Sequence, residues 1–406
     1  MKNEPQKKVI SLNIDVGAAV LGFGSARTAT TAHRRIMKHY ASPWLLGPPP
    51  SETLLELVAH LYTEEEAELV QHLPPLKART AARVAALSRR PVQEVERILE
   101  RLATVKCILL ATEKSRRYAI IPIVPGTFEL ALMTADLSTR NAWHRRFAEL
   151  FEELWDRGYM KDYMTHLGPC VRYFPVNGVS KTLTSAWPSD RMEEILAPYN
   201  DFAVGNCQCR LAMKLVGKGC DRPLENCVSF GPGAMRMVQK GHMRKADRQE
   251  ILDIKRNAEE HGCVNFMIDA LGTPQQSNGS CSCCGCCCHA LRSMTEFNLP
   301  GAICRPHFLP HRAPEKCTMC GLCARACPMG AWALSEKHLS FDMKRCIGCG
   351  LCVVSCKAKA LALHPIAGAK PPAGSWLAFF MKLAPGYFHT SLRVWTGRIF
   401  SMQKVQ

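Results

Sequence analysis

Two short cysteine runs in the last third of the chain have the spacing of a metal-cluster ligand set. The runs read Cys317-Thr-Met-Cys320-Gly-Leu-Cys323-Ala-Arg-Ala-Cys327-Pro and Cys346-Ile-Gly-Cys349-Gly-Leu-Cys352-Val-Val-Ser-Cys356-Lys. Three thiolates on one tight loop can take three corners of an iron–sulfur cube, while the fourth is out of their reach and serves the other cube. The spacing therefore predicts two [4Fe–4S] clusters, one held by Cys317, Cys320, Cys323 and Cys356, the other by Cys346, Cys349, Cys352 and Cys327.

The repeated C-x2-C-x2-C-x3-C pattern resembles the bacterial-type dicluster ferredoxins. The first run ends in Cys-Pro, as in that family, whereas the second ends in Cys356-Lys357. A pair of zinc ribbons is the alternative, but zinc sites use C-x2-C pairs and would leave the extra cysteine of each run without a metal. The resemblance implies a ferredoxin domain at residues 301–365, with hairpin strands at 331–334 and 339–342 and a further strand at 360–364.

A second group of cysteines precedes the ferredoxin runs. The candidate metal ligands in this region are Cys207, Cys209, Cys220, Cys227, Cys281, Cys283, Cys284, Cys286, Cys287 and Cys288. The first four would suffice for one tetrahedral site. The other six cannot all face one metal, because adjacent side chains on an extended backbone point to opposite sides. These residues predict at least one further iron–sulfur centre, with zinc as the alternative.

Composition agrees with metal ligation in a reducing compartment. The chain has 406 residues, 22 cysteines and a formal net charge of +17. The cysteines are grouped in cluster-type spacings, which favours a cytoplasmic protein over a disulfide-linked secreted one. Each loaded [4Fe–4S] site carries about two negative charges, so part of the basic excess balances cluster charge. We expect no secretory signal and no transmembrane helix, because no uninterrupted apolar run reaches about 18 residues.

The front of the chain has the pattern of a winged-helix-like domain at residues 51–130. Helices are expected after the N-cap Ser51, at 64–72, at 80–87 and from Pro91 onward, followed by strands at 107–111 and 118–122. Such domains often read DNA, but the helix that would enter the groove carries Glu94, Glu96 and Glu100. An acidic helix is poorly matched to phosphate, so we expect docking or structural use rather than nucleic-acid binding.

Composition shifts divide the remainder of the chain. Residues 1–50 are expected to be a flexible extension with a helical stretch at 32–39, 131–205 a helical connector, and 206–300 a Cys-rich α/loop domain. Within the last of these, the basic stretch 236–256 is expected to be a solvated helix face. His307 and His311 are expected at the surface or beside the ligands. The segment 366–406 is a basic, aromatic-rich tail, since no acidic residue follows Asp342. The overall class is α+β and multidomain. The tail is suited to peripheral contact with an anionic membrane through 375–406, and the alternative is that it covers the protein's own apolar surface.

Together these parts resemble a family of multi-cluster 4Fe–4S proteins. The resemblance spans about residues 35–365 and includes Glu64-Glu-Glu-Ala67, Ile121-Pro-Ile-Val-Pro-Gly-Thr-Phe-Glu129 and Cys207-Gln-Cys209-Arg210. That family is defined by architecture more than by one reaction, so it implies redox work and does not identify a substrate. The N-terminal extension, Cys263 and the long basic tail depart from it.

Three functions follow from these features. The leading hypothesis is an electron-transfer protein or redox subunit that relays electrons through two [4Fe–4S] clusters to or from a further Cys-ligated centre. The alternatives are a redox enzyme with its active site in the Cys-rich region, and an iron–sulfur redox-sensing transcriptional regulator. No Rossmann or P-loop fingerprint occurs, so the expected partners are redox proteins, such as a flavoprotein or a membrane oxidoreductase. The sequence identifies neither donor, acceptor nor catalytic residue.

Overall fold

The computed structural model describes residues 28–402, apart from 43, 76, 113–114, 160–167, 271–277, 300–302 and 337. The helices are Thr31–Tyr40 (α1), Glu52–Leu61 (α2), Glu64–Val70 (α3), Ala81–Ser88 (α4), Val92–Thr104 (α5), Phe128–Leu132 (α6), Ala142–Asp156 (α7), Asn177–Ser180 (α8), Met192–Leu196 (α9), Gln208–Leu215 (α10), Pro232–Gln239 (α11), Arg248–Glu260 (α12), His289–Phe297 (α13), Leu322–Ala326 (α14), Leu351–Val354 (α15) and Trp376–Met402 (α16). The strands are Arg79–Thr80 (β1), Leu109–Ala111 (β2), Arg117–Ile120 (β3), Val171–Phe174 (β4), Phe202–Asn206 (β5), Glu225–Phe230 (β6), Arg244–Ala246 (β7), Val264–Ile268 (β8), Asn278–Cys283 (β9), Phe308–Arg312 (β10), Trp332–Ser335 (β11), His338–Phe341 (β12) and Leu361–Pro365 (β13).

These elements form two compact units and confirm the α+β class. The first unit comprises residues 1–132, 136–159 and 208–221, and the second comprises 133–135, 160–207 and 222–406. The predicted flexible extension lies outside the described residues as far as position 27. From Thr31 onward the helical stretch expected at 32–39 is present as α1, but it is packed rather than flexible, because it buries Ile36 and Tyr40 completely. The Tyr40 hydroxyl lies 2.8 Å from that of Tyr62, in the first turn after α2.

The first unit contains the elements predicted for residues 51–130. Helix α2 starts at the predicted cap, where the Leu54 amide donates to Ser51 Oγ over 3.1 Å. Helices α4 and α5 are followed by the antiparallel hairpin β2–β3, and β1 joins β3 on its other side. This order of elements is the one expected of a winged helix, and the assignment stays a prediction. Glu100 on α5 pairs with Arg116 and accepts a hydrogen bond from the Tyr118 hydroxyl.

The second unit is built on a six-stranded antiparallel sheet with strand order β4-β8-β9-β6-β5-β7. Its strands come from both the predicted helical connector and the predicted Cys-rich α/loop domain, so those two descriptions missed the sheet. Helix α12 packs on it through Ile251, which is fully buried beside Phe202 and Phe230. The sheet gives the Cys-rich segment a fixed register that a loop would not have.

The ferredoxin segment follows the sheet. The predicted hairpin is present as β11 and β12, which pair from Trp332–Phe341 to Ser335–His338. The predicted strand after Cys356 is β13, and its antiparallel partner is β10, which the sequence analysis did not assign. Strand β10 ends before the first cysteine run, so the β10–β13 pair brings the start and the end of the duplicated motif together.

Candidate metal centres

The first predicted ligand set converges on one cavity. Two of its four cysteines lie on the loop leading into α14, the third lies in the first turn of that helix, and the fourth follows α15. They line the same space, together with Met319 and Leu361 among others, and are Cys317, Cys320, Cys323 and Cys356. Gly321 has a positive φ of 70°, which lets the backbone turn tightly between the second and third cysteine. The structure therefore assembles the set that the spacing predicted.

The second ligand set lines a separate cavity. Its members are Cys346, Cys349, Cys352 and Cys327, so the last cysteine of the first run belongs with the second run. Gly348, with φ of 68°, turns the loop at a place where a β carbon would lie 2.7 Å from the Phe308 carbonyl oxygen. Only glycine fits there without a shift of the backbone. The exchange of fourth cysteines between the two runs is thus built into the fold.

Backbone amides and burial both suit these sulfurs to a metal cluster. The amides of Ala331, Gly348 and Ala360 approach the Sγ atoms of Cys327, Cys346 and Cys356 at 3.3, 3.4 and 3.3 Å. Burial raises the pKa of the Cys352 thiol to about 12 and that of Cys346 to about 11. A buried thiolate of this kind needs a bound cation, and an all-sulfur donor set suits iron–sulfur clusters.

The Cys-rich segment places four other thiols in a continuous row, here called the buried thiol array. Cys281 and Cys283 share one face of β9, and Cys283 contacts Cys288, which begins α13. On β6, Val228 pairs with Ser280, so the next cross-strand pair is Cys227 and Cys281, whose side chains are in contact. The array is Cys227, Cys281, Cys283 and Cys288.

The opposite face of β9 holds a buried cation. The Lys255 ammonium on α12 donates to the Ser280 carbonyl and hydroxyl at 3.0 and 2.9 Å, and to the Ser282 hydroxyl at 3.2 Å. Lys255 is only 2% exposed, and burial lowers its pKa while the Cys281 thiolate counteracts that shift. Burying an ammonium costs several kcal/mol unless negative charge lies nearby. Its position is explained by an anionic group at the array.

The thiols of the array do not share charge equally. Cys227 and Cys283 both direct their side chains to Cys281, which holds the pKa of Cys281 well below its usual range. The same contact, with burial, raises the pKa of Cys227, and contacts with Cys281 and Cys288 raise that of Cys283. Lys255 also lowers the pKa of Cys281. Tyr173 packs in the same apolar cluster beside Cys288.

The turn after β9 forms a second, more compact group. The Sγ atoms of Cys284, Cys286 and Cys287 lie within 4.8 Å of one another, and those of Cys286 and Cys287 are 3.8 Å apart. Four sulfurs around one zinc ion, at bonds of about 2.3 Å, are separated by about 3.8 Å. The spacing of this group suits a single metal ion. The six thiols of the 281–288 segment are thus divided between two places, as the alternation argument predicted.

The compact group lies directly against the second ferredoxin ligand set. A β carbon on Gly285 would lie 2.1 Å from the carbonyl oxygen of Pro328, the residue after Cys327. The buried thiol array also adjoins the second ferredoxin ligand set, because Cys283 and Cys288 of the array are buried in one apolar cluster with Cys349. Cysteines that are far apart in sequence therefore share one core within the second unit.

A solvent-open cavity of about 610 Å³ lies beside this junction. Its lining includes the exposed Cys286 and the ferredoxin ligand Cys327, with charged side chains of both signs around them, namely Arg222, Arg325, Glu259 and Glu260. The Arg222 guanidinium donates to Cys286 Sγ over 3.5 Å and to the His261 carbonyl over 2.9 Å. Through this cavity, sulfurs of two candidate centres are accessible from solvent.

The remaining predicted ligands are divided between the units. Cys207 is buried in the second unit, at the end of β5, where its charge raises the pKa of Cys227. Cys209 and Cys220 belong to the first unit and are half-buried. Their joint ligation of one metal with Cys207 and Cys227 stays a prediction.

Sequence reasoning missed Lys255, which it assigned to a solvated basic helix face. The helical period could have indicated that Lys255 is buried, because Ile251, Lys255 and Ala258 occupy successive turns. These three are the buried positions of α12. It also placed His307 on the surface or next to a ligand. The structure buries His307, with Nδ1 2.7 Å from the Asp190 carboxylate and the ring stacked on Trp187.

Comparison with known proteins identifies the ferredoxin segment. Residues 309–357 match the family model described as a 4Fe-4S dicluster domain. Neither the curated proteins nor the solved structures gave a match. The matched segment contains all eight cysteines that line the two ferredoxin cavities. The chain is therefore an iron–sulfur protein that carries a 4Fe-4S dicluster domain.

Proposed function

We propose that this protein is an electron-transfer protein or redox subunit that connects its dicluster domain to a third Cys-ligated centre on the six-stranded sheet. The observation that carries the proposal is the shared core of Cys283, Cys288 and Cys349, next to the contact of Gly285 with Pro328. One-electron transfer requires centres separated by little protein. Continuous packing between the two cysteine regions supports such a path.

The residues around each ferredoxin cavity hold and shield the sulfurs. When bound, the [4Fe–4S] cubes supply one-electron oxidation and reduction. Trp332, Leu339 and Leu361 pack against the cysteines and exclude water from them. The amide donors at Cys327, Cys346 and Cys356 stabilise negative charge on the sulfurs, which favours the reduced state. The eight cysteines thus ligate the two clusters, and the surrounding apolar and amide groups adjust the reduction potentials of the clusters.

We assign the third centre to the buried thiol array, with Cys227, Cys281, Cys283 and Cys288 as its ligands. An all-thiolate set with a buried lysine behind it suits an anionic iron–sulfur cluster. Zinc is the competing occupant of the cysteine-rich region, and the compact group of Cys284, Cys286 and Cys287 is its better fit. Metal content therefore distinguishes an iron–sulfur cluster at the array from a zinc ion at the compact group.

Metal and sulfide analysis of the anaerobically purified full-length chain tests this assignment. Three cubes give about twelve irons per chain, and two give about eight. EPR of the dithionite-reduced protein should show a signal beyond those of the dicluster domain, and Cys281→Ser should remove it while leaving about eight irons. About eight irons with stoichiometric zinc that is lost in Cys281→Ser would overturn the assignment of a third iron–sulfur centre.

A redox enzyme is the second candidate, and the cavity of about 610 Å³ beside Cys286 and Cys327 favours it. An enzyme needs a place where a substrate meets the electron path. The rim carries Arg222 and Arg325 together with Glu259 and Glu260, so it presents charges of both signs to a polar substrate. Replacement of Arg222 by Gln should then weaken turnover of such a substrate and leave electron exchange with a protein partner unchanged. Equal loss of both activities would argue against a separate substrate site.

A further inference from the structure

The C-terminal helix α16 presents an exposed apolar surface. Five of the twelve large apolar side chains that are exposed in the described chain lie on this one helix. They are Leu377, Phe380, Met381, Phe388 and Leu392, with exposed fractions of 73, 60, 66, 70 and 48%. Single exposed apolar residues are ordinary, but a concentration of this kind marks an interaction surface.

Helical geometry gathers these side chains on one side of α16. Positions 377, 380, 381, 388 and 392 fall within one sector of about 120° at 100° per residue, and the sector extends about 22 Å along the axis. We call it the outer stripe. Phe379 and Thr390, which point to the opposite side, are 5% and 1% exposed. The helix is therefore already packed through its other side, and the outer stripe is not used for that packing.

Contacts within the second unit fix the helix in this orientation. The Lys382 ammonium lies 2.6 Å from the Asp269 carboxylate, and the Ala373 amide donates to the Asp269 carbonyl over 3.1 Å. Asp269 directly follows β8, the strand that pairs with β9 and its array cysteines. The stripe thus has a defined position relative to the sheet that carries the proposed third centre.

The charge around the stripe is suited to one kind of partner. His389 and Arg393 are exposed along one border of the stripe, beside Lys382, whose ammonium is paired with Asp269. No acidic residue occurs after Asp342, so nothing in this part of the chain repels an anionic surface. An apolar stripe with a basic border fits the boundary between acyl chains and anionic headgroups. A second copy of the same helix packed antiparallel would instead place the basic borders side by side.

We propose that the outer stripe of α16 lies in the interface of an anionic lipid bilayer, with the helix parallel to the membrane plane. No helix in the described part of the chain is long and apolar enough to cross a membrane. Through Asp269, membrane binding would hold the sheet at a fixed height above the lipid surface. Electrons would then be exchanged with a membrane-bound partner, although the lipid contact itself does not depend on the clusters.

Co-sedimentation of the anaerobically prepared full-length protein with vesicles tests this contact. The wild-type protein should bind vesicles of phosphatidylglycerol and phosphatidylcholine, bind pure phosphatidylcholine more weakly, and lose affinity at high salt. The double variant Leu377→Gln/Phe388→Gln should bind at least about tenfold more weakly, because each side chain loses its burial in lipid. The matched control is Val105→Gln/Met343→Gln, which changes two apolar residues that are similarly exposed elsewhere.

Cluster absorbance and thermal unfolding of all variants report whether the fold is kept. The proposal is overturned if the wild-type protein ignores anionic vesicles, or if the helix variant and the control bind alike. Analytical ultracentrifugation gives a further readout. A dimer that dissociates in the Leu377→Gln/Phe388→Gln variant, with no vesicle binding by the wild type, would assign the stripe to a second copy of the chain and reject the lipid contact.

Discussion

Gly285 meets the backbone carbonyl of Pro328 so closely that a β carbon at residue 285 would lie 2.1 Å from the carbonyl oxygen. The contact joins the compact group of Cys284, Cys286 and Cys287 to the ferredoxin ligand Cys327. Backbone lies on both sides of it, so the conflict cannot be relieved by a side chain that turns away. The approach of two cysteine regions depends on the absence of a side chain at one position.

Gly285→Ala should therefore separate these regions. Overpacking at a backbone contact costs about 1–3 kcal/mol of unfolding free energy. The rate of electron exchange between the dicluster domain and the third centre should fall, measured by stopped-flow oxidation of the reduced protein. The control is Gly374→Ala, where an added β carbon meets no atom within 4 Å. Equal rates in the two variants would contradict the proposed electron path.

The ferredoxin ligands could be predicted because the spacing of cysteines within a short segment is sufficient to indicate a cluster ligand set. C-x2-C-x2-C on one loop limits which sulfurs can share a cube, and the eight cysteines line two cavities in the grouping that this spacing predicts. The six-stranded sheet could not be found in the same way. Strand β9 reads Asn-Gly-Ser-Cys-Ser-Cys, without the β-branched and aromatic residues that mark a strand. Its partners β6 and β8 supply the pairing that holds it extended.

The burial of Lys255 shows a second limit of local patterns. Five basic residues between positions 240 and 255 indicated a solvated face, and four of them are at least partly exposed. Lys255 is the exception because it shares a helical stripe with Ile251 and Ala258. Long-range contacts also explain why α1 is packed, although proline and glycine follow it. Tyr40 is buried beside Tyr62, which follows α2 and is 22 residues further along the chain, so the sequence around α1 does not reveal this contact.

Replacing Lys255 by Met should lower the midpoint potential of the third centre. The substitution keeps the apolar stem and removes the positive charge that stabilises the more negative, reduced state. A shift of about 60 mV corresponds to 1.4 kcal/mol for a one-electron couple, and we expect a change of that order in an EPR-monitored redox titration. Lys245→Met, an exposed charge on β7, is the control and should leave the potential within a few millivolts. No shift in the Lys255 variant would mean that the array does not carry the redox centre.

Two buried histidines should make the first unit sensitive to acid. Burial lowers the pKa of His60 to about 4 and that of His144 to about 2. Unfolded histidine titrates near pH 6.5, so the unfolded chain binds more protons than the folded chain below that pH. Unfolding free energy should therefore decrease as pH falls from about 6.5 toward 4, by up to about 1.4 kcal/mol per pH unit for each histidine.

Urea unfolding between pH 5 and 7.5, followed by tryptophan fluorescence, measures this slope. His60→Gln should reduce the slope by about one proton, because it removes one titrating imidazole. The fold should be kept, because Gln can still donate to the Trp143 carbonyl, which His60 Nε2 approaches at 2.8 Å. His338→Gln, an exposed position on β12, should leave it unchanged. If His60→Gln has the wild-type slope, the imidazole does not titrate on unfolding and the pH dependence has another source.

Cys327→Ser tests the exchange of ligands between the two ferredoxin runs. Cys327 closes the first run in sequence, but it lines the cavity of Cys346, Cys349 and Cys352. The substitution should therefore change the EPR signal and iron content of the same cluster that Cys349→Ser affects. Cys320→Ser should affect the other cluster, because Cys320 lines the cavity of Cys317, Cys323 and Cys356. Cys107→Ser, in the first unit, serves as the control for loss of a thiol alone. If Cys327→Ser and Cys320→Ser perturb the same signal, each run fills its own cluster and the crossed assignment fails.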